Sequence, residues 1–150
     1  MSIKSQELKR ADFAYSYIKR EFKTEEKPSK ESLEVMKNFK SYVMNVPAYI
    51  KTNGLLATYA FIGTKMETTA YKKIYEMTKE WLRSDACSVK ESVAIGEKED
   101  LKGKFLSLSS NEYKLVTKEV LALFHWVKRF AVSELDTDKD KDKDEDEGGK

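Results

Sequence analysis

Basic side chains recur along the last predicted helix at a spacing that places them on one side of it. On a wheel of 100° per residue over residues 112–131, Lys114, Lys118, His125 and Arg129 fall opposite the apolar side chains. Such a row can bind the phosphates of a polyanion without reading its sequence, because the attraction is electrostatic. The alternative is a solvated helix face with no ligand.

Further cations accompany this row. Lys51 and Lys65 flank the step Asn53-Gly54, and Lys128 precedes Arg129 near the end of the last helix. The mildly basic body supports a polyanionic partner: residues 1–135 carry 24 Lys and Arg against 18 Asp and Glu. The candidates for phosphate contact are therefore Lys51, Lys65, Lys114, Lys118, Lys128 and Arg129.

The residues that most often perform catalysis lack partners in the sequence. His125, the only histidine, has no acidic or nucleophilic residue on its own helix face, and Cys87, the only cysteine, has no ligand cluster near it. Alternating aspartates in residues 136–147 match the spacing of a calcium loop, but Lys141 stands where that loop needs glycine. The sequence predicts no catalytic residue, no metal site and no cofactor.

The elements that must position the cations are predicted to be helices. Only two prolines and six glycines occur, and no segment alternates as a strand would. The prediction is an all-α fold, a compact bundle of about five to seven helices in one domain over residues 1–135. Residues 136–150 hold 4 Lys against 8 Asp and Glu and are predicted to form a disordered acidic tail.

The first half of the chain predicts three helices. The first presents a core face made of Leu8, Ala11, Tyr15, Ile18 and Phe22. Ser29 is placed to cap the second, and Pro47 marks either a kink in it or the first turn of a fresh helix. Gly54 ends that segment, since glycine adopts positive φ at low cost, and the next helix begins at Leu55.

In the second half of the chain, residues 85–107 have the weakest secondary-structure pattern, and the last helix has a clear start signal. After a helix that ends near Ser84, a turn is predicted at Lys102-Gly103. Ser109 and Glu112 have the S-x-x-E spacing of a capping box, which predicts the start of the last helix. That helix runs to about Leu135.

A second apolar stripe on the first helix, made of Ile3, Phe13 and Tyr17, is separate from the predicted core face. An apolar strip opposite the core is often a contact surface for another chain. These residues are therefore candidates for a subunit interface, although single exposed aromatic residues are also common.

The same sequence contains no long apolar run, and its first residues are charged. The expectation is a soluble, cytoplasmic protein without a membrane partner.

Three blocks of this sequence together form a recognisable pattern: residues 47–55 with Ala60, Phe61 and Lys65; Tyr71 with Trp81 and Leu82; and Tyr113, residues 117–119, Trp126 and residues 128–131. The Asn-Gly-Leu step and the Trp-x-Lys-Arg-Phe-Ala end are their most specific parts. In these blocks the chain resembles the small helical subunit of the type III-B CRISPR effector, the Cmr complex. The chain departs from the family at Leu56-Ala57, where a further glycine is common, and in its acidic tail.

The resemblance implies a non-catalytic scaffold. Copies of such a subunit stack beside the backbone subunits and line the path of the guide RNA and target RNA, and the backbone and large subunits are the other expected partners. Base pairing then reads the sequence, while the protein contacts backbone shape and charge. The rival interpretation is a helical protein–protein adaptor without nucleic-acid contact.

Overall fold

The computed structural model describes residues 5–24 and 26–135, and every regular element in those two ranges is an α-helix, which confirms the predicted class. Ile3 and the predicted tail lie outside the described residues. No helix within the described ranges combines the length and apolar character needed to cross a bilayer. The helices are α1 (Gln6–Phe22), α2 (Lys30–Asn53), α3 (Leu55–Gly63), α4 (Thr69–Arg83), α5 (Lys90–Val93), α6 (Leu101–Ser107) and α7 (Ser110–Glu134).

Serine side chains start the three longest helices by occupying backbone donors that have no partner inside the helix. The Ser5 Oγ accepts from the N–H of Leu8 at 3.1 Å, and the Ser29 Oγ accepts from the third residue after it. The predicted capping box is present before α7. There the Ser109 Oγ accepts from the N–H of Glu112 at 3.2 Å, and the Glu112 carboxylate accepts from the N–H of Ser109 at 2.9 Å.

Pro47 lies inside α2, so no fresh helix starts at this residue and α2 continues to Asn53. The break comes at Gly54, which has φ 95° and ψ 160°. The Gly54 N–H donates to the carbonyl of Ile50 at 2.8 Å, and its own carbonyl accepts from the N–H of Thr58 at 3.2 Å. One residue therefore ends α2 and begins α3, and the predicted positive φ is present.

The two long helices α2 and α7 organise the packing. Both α1 and α2 pack along α7, α4 packs against α2, and α3 joins α2, α4 and α6. Their apolar faces meet in one buried cluster whose largest fully buried side chains include Trp81, Tyr59, Phe39, Phe105 and Phe124. This packing fixes the α2–α7 surface on which most of the candidate cations lie.

The predicted core face of α1 is rotated relative to the observed one. Leu8 and Tyr15, expected in the core, are 54% and 41% exposed. The helix packs against α4 as well as α7, so its buried arc extends to the side that the spacing assigned to solvent. The buried residues of α1 are Ala14, Tyr17, Ile18 and Phe22.

The same rotation overturns the predicted strip of Phe13 and Tyr17. Tyr17 is 3% exposed, and its hydroxyl donates to the carbonyl of Lys73 in α4 at 2.9 Å. The Phe13 ring packs on that of Trp81 with centroids 5.1 Å apart. These two aromatic residues bind α1 to α4 within the chain, so the expectation that they form a strip facing away from the core is wrong.

The expected turn at Lys102-Gly103 is also wrong, because both residues lie in α6. Leu101 and Phe105, on either side of the glycine, are buried at the α6 contact with α3. Their four-residue spacing is enough to hold a short amphipathic helix despite the low helix propensity of glycine.

Candidate nucleic-acid interface

An open groove of about 550 Å³ lies between the second half of α2 and the end of α7. Four of its lining residues are basic or imidazole side chains, and the other four are apolar. The apolar part is Met44 and Pro47 from α2 with Leu121 and Val132 from α7; the polar part is Lys51, His125, Lys128 and Arg129. Three of the six predicted phosphate contacts therefore line one groove.

Among the described residues, some cations pair with carboxylates, and the cations of the groove do not. Arg10, Arg20 and Lys73, for example, each form a salt bridge with a glutamate. Within residues 5–24 and 26–135, no carboxylate forms a salt bridge with Lys51, Lys128 or Arg129, and none lines the groove. Their charge is therefore left for an external anion, which the apolar floor alone would not attract.

His125 orients one of these cations. Its Nε2 accepts a hydrogen bond from the Nε of Arg129 at 3.3 Å, one turn further along α7. The guanidinium keeps its two terminal nitrogens for a planar, bidentate contact such as a phosphate provides.

The remaining candidates lie outside the groove. Lys114 and Lys118 are exposed and continue the same face of α7 toward its start, in line with Leu121 and His125. Lys65 follows the end of α3, where its ammonium stands 5.8 Å from the centre of the Phe61 ring. Lys114 and Lys118 therefore continue the basic side chains of the groove as a row along α7. Lys65 lies apart from that row.

A tyrosine of α7 fixes the helix break next to the groove. The Tyr113 hydroxyl accepts from the N–H of Leu56 at 2.8 Å, which satisfies a first-turn donor of α3. A Cβ added to Gly54 would lie 3.4 Å from the same hydroxyl. The start of α7 therefore holds the α2–α3 junction, and with it the end of α2 that carries Lys51.

A buried carboxylate behind the basic face was missed by sequence reasoning. Glu119 is 3% exposed, and it accepts from the Arg10 Nε at 2.6 Å and from the Arg10 Nη2 at 2.9 Å. Its Oε2 also accepts from the indole nitrogen of Trp81 at 3.0 Å, so one carboxylate joins α1, α4 and α7. The sequence did hold a signal: Glu119 stands between Val116 and Val120 on the apolar arc of α7.

The two residues considered for catalysis, Cys87 and His125, lie in different surroundings. Cys87 is buried, and burial raises the pKa of its thiol to about 11, which disfavours the nucleophilic thiolate. His125 is exposed in the groove and bonds to Arg129. In the described part of the chain, no cluster of three or more His, Cys, Asp or Glu is placed to hold a metal ion.

Nearly all of the helical part of the chain matches a known protein family. A sequence model of the family described as CRISPR-associated protein (Cas_Cmr5) matches residues 6–134. The matched range begins with α1 and ends with α7, so it includes the groove, the helix break at Gly54 and the carboxylate of Glu119.

Proposed function

Because this chain belongs to the Cas_Cmr5 family and is therefore a subunit of a Cmr complex, we propose that it is a non-catalytic small subunit of a type III-B effector in the cytoplasm. In this proposal, copies of the chain stack beside the backbone and large subunits and line the path of the guide RNA and target RNA. The observation that carries the RNA contact is the groove between α2 and α7, in which Lys51, Lys128 and Arg129 have no carboxylate partner among the described residues.

The chemistry of the groove favours a phosphate backbone over a sequence-reading contact. An A-form duplex has a major groove too narrow for side chains, so a protein beside it meets phosphates and ribose. Two lysines and an arginine oriented by His125 supply charge and a bidentate donor for such groups. Lys114 and Lys118 continue the charge along α7, which suits a strand that runs along this helix.

Of the two predicted interface residues in α1, one is retained for the contacts between copies and the other is not. Tyr17 is engaged inside its own chain, so it is withdrawn as an interface residue. Phe13 keeps a partly exposed edge in a shallow hollow with Lys9, Ser16 and Ser84, and it remains a predicted contact.

We expect the variant Lys51→Ala/Lys128→Ala/Arg129→Ala to bind single-stranded RNA more weakly for every sequence tested. Each lost phosphate contact removes about 0.7 from the slope of log K against log salt concentration, so the slope should flatten by about 2. Fluorescence anisotropy of labelled RNA between low and physiological salt measures both effects, on the full chain and on the reconstituted complex.

The matched control is Lys27→Ala/Lys72→Ala/Lys98→Ala, which removes the same charge from exposed positions that lie neither in the groove nor on the face of α2 that carries Met44 and Lys51. It should leave the slope close to that of the wild type. An unchanged slope in the groove variant would contradict the RNA contact and favour the adaptor interpretation.

Truncation after Leu135 should strengthen RNA binding, with the largest gain at low salt. Residues 136–150 carry 8 acidic side chains against 4 lysines and follow the last turn of α7, whose Val132 lines the groove. Their charge competes with phosphates until salt screens it, at a Debye length of about 10 Å in 0.1 M salt. A tail in which Asp, Glu and Lys are all replaced by Asn and Gln carries no side-chain charge and should match the truncation; equal binding by all three chains would exclude competition by the tail.

A further inference from the structure

A second open pocket, of about 340 Å³, lies on the side of α2 that faces α3 and α4. Buried side chains of Val46, Thr58 and Ile62 form its floor. Its walls are four aromatic rings, and no acidic residue lines it. The four rings belong to Tyr42, Tyr49, Phe61 and Tyr71.

The rings form two parallel pairs. Tyr42 and Tyr71 stack with centroids 4.0 Å apart and planes 7° from parallel, and Tyr71 meets Phe61 edge-on at 5.8 Å. Tyr49 and Phe61 lie 8° from parallel with centroids 6.1 Å apart. This outer pair is 51% and 40% exposed, so the chain presents aromatic surface that its own core does not cover.

Several polar groups of the pocket have no hydrogen-bond partner among the described residues, although the Thr58 hydroxyl on its floor donates to the carbonyl of Gly54 at 2.8 Å. The hydroxyls of Tyr17 and Tyr59 bond within the chain. No described residue forms a hydrogen bond with the hydroxyl of Tyr42, Tyr49 or Tyr71. At the rim, the Asn45 amide donates to the carbonyl of Ser41 at 3.2 Å, and its side-chain oxygen accepts from none of the described residues.

The pocket and the basic groove share one helix. Met44, Pro47 and Lys51 face the groove, while Ser41, Asn45 and Ala48 face the pocket. Only the width of α2, about 10 Å with side chains, separates the groove from the pocket. The residues of α2 at the edge of the pocket include the small side chains of Ser41 and Ala48. On the far side of the pocket, the ammonium of Lys65 stands over the Phe61 ring.

From this juxtaposition we infer that the aromatic pocket is a stacking site for an unpaired nucleobase of an RNA strand whose phosphates occupy the groove between α2 and α7. The inference rests on the proposed function, since it takes the phosphate contact as given and adds a base contact. A base would stack on the exposed faces of Tyr49 and Phe61, and its edge would meet the free hydroxyls and the Asn45 oxygen.

A base suits the pocket better than an apolar protein segment does. Every base has a flat face to stack and polar edges to bond, and the pocket offers rings together with donors and acceptors that lack partners in the described chain. Lys51 and Lys65 place positive charge on both sides of it, which matches the phosphates that flank a base. Among the described residues, no carboxylate of the kind that a basic peptide would need lines the pocket or the groove.

The test compares a uridine oligonucleotide with an abasic strand of the same length, which keeps the phosphates and sugars and lacks the bases. The full wild-type chain should bind the uridine strand about tenfold more tightly, the scale of one base–aromatic stack. In Tyr49→Leu/Phe61→Leu that preference should disappear, while binding of the abasic strand and its salt slope stay unchanged. The matched control is Tyr15→Leu, which removes an aromatic ring of 41% exposure from α1 and should keep the preference.

The other outcomes overturn the inference in distinguishable ways. Equal wild-type binding of both strands, with the slope still dependent on the groove lysines, would remove the base site and leave the proposed function standing. A preference that survives in the double variant would place the base contact elsewhere. Absence of binding by either strand would overturn both proposals. A double variant that keeps the preference and fails to enter the reconstituted complex would assign the pocket to a protein partner.

Discussion

Replacing Glu119 by alanine should lower the free energy of unfolding by about 3–5 kcal/mol, the usual cost of leaving one member of a buried ion pair alone. The Arg10 guanidinium, whose side chain is partly buried at 20% exposure, would lose both of its hydrogen bonds to the carboxylate. The indole N–H of Trp81 would lose its acceptor at the same time. Since whole domains are stable by about 5–15 kcal/mol, the variant should unfold at a much lower urea concentration, as circular dichroism can record.

A double-mutant cycle separates the ion pair from the loss of packing. Once Glu119 is alanine, Arg10→Met should cost far less than it does in the wild type, because the arginine no longer has a buried partner. The control is the pair of Arg20 and Glu80, whose side chains are 53% and 45% exposed. Its disruption should cost under about 1 kcal/mol. Additive effects of Arg10→Met and Glu119→Ala would contradict a coupled, buried pair.

Gly54→Ala is expected to destabilise the protein by about 2 kcal/mol, although it adds a single methyl group. The residue has φ 95° and ψ 160°, a region that is essentially restricted to glycine and costs other residues about 1–3 kcal/mol. The new Cβ would have room, since its nearest neighbour is the Tyr113 hydroxyl at 3.4 Å, so the cost is conformational. Thermal unfolding of the purified chain measures it.

Gly103 supplies the matched control for this substitution. It lies in α6 with nothing within 4 Å of an added Cβ, so alanine there should stabilise by about 0.5–1 kcal/mol through higher helix propensity. Opposite signs for the two Gly→Ala variants would establish that backbone geometry decides the outcome. A Gly54→Ala variant that melts with the wild type would mean that the α2–α3 break tolerates an ordinary side chain.

The helical fold could be predicted because its start and stop signals are local. Ser29, Gly54 and Ser109 act on backbone groups within a few residues, and such signals can be read from the sequence alone. The rotation of α1 about its own axis could not be predicted, because its buried face depends on which helices pack against it. Tyr17 has the same spacing whether it faces solvent or the carbonyl of Lys73, and only the packing of α4 decides.

The candidate site was predicted in part for the same reason. Periodicity identified the cations of α7, but nothing in the sequence showed that Lys51 of α2 would lie across a groove from Lys128 and Arg129. The aromatic pocket combines side chains of α2, α3 and α4, so no single helix wheel reveals it. Glu119 was recognisable only as a charge in an apolar arc, and its partner lies on the opposite end of the chain.

That separation has a consequence for the order in which the protein forms on the ribosome. Arg10 and Glu119 are 109 residues apart. At a synthesis rate of about 5–20 residues per second, the carboxylate is therefore made roughly 5–20 s after the arginine. Until then α1 lacks both α7 and the partner of its charge. A nascent chain that ends before α7 therefore displays an unclosed apolar face, and α1, the first helix to be made, completes its packing among the last.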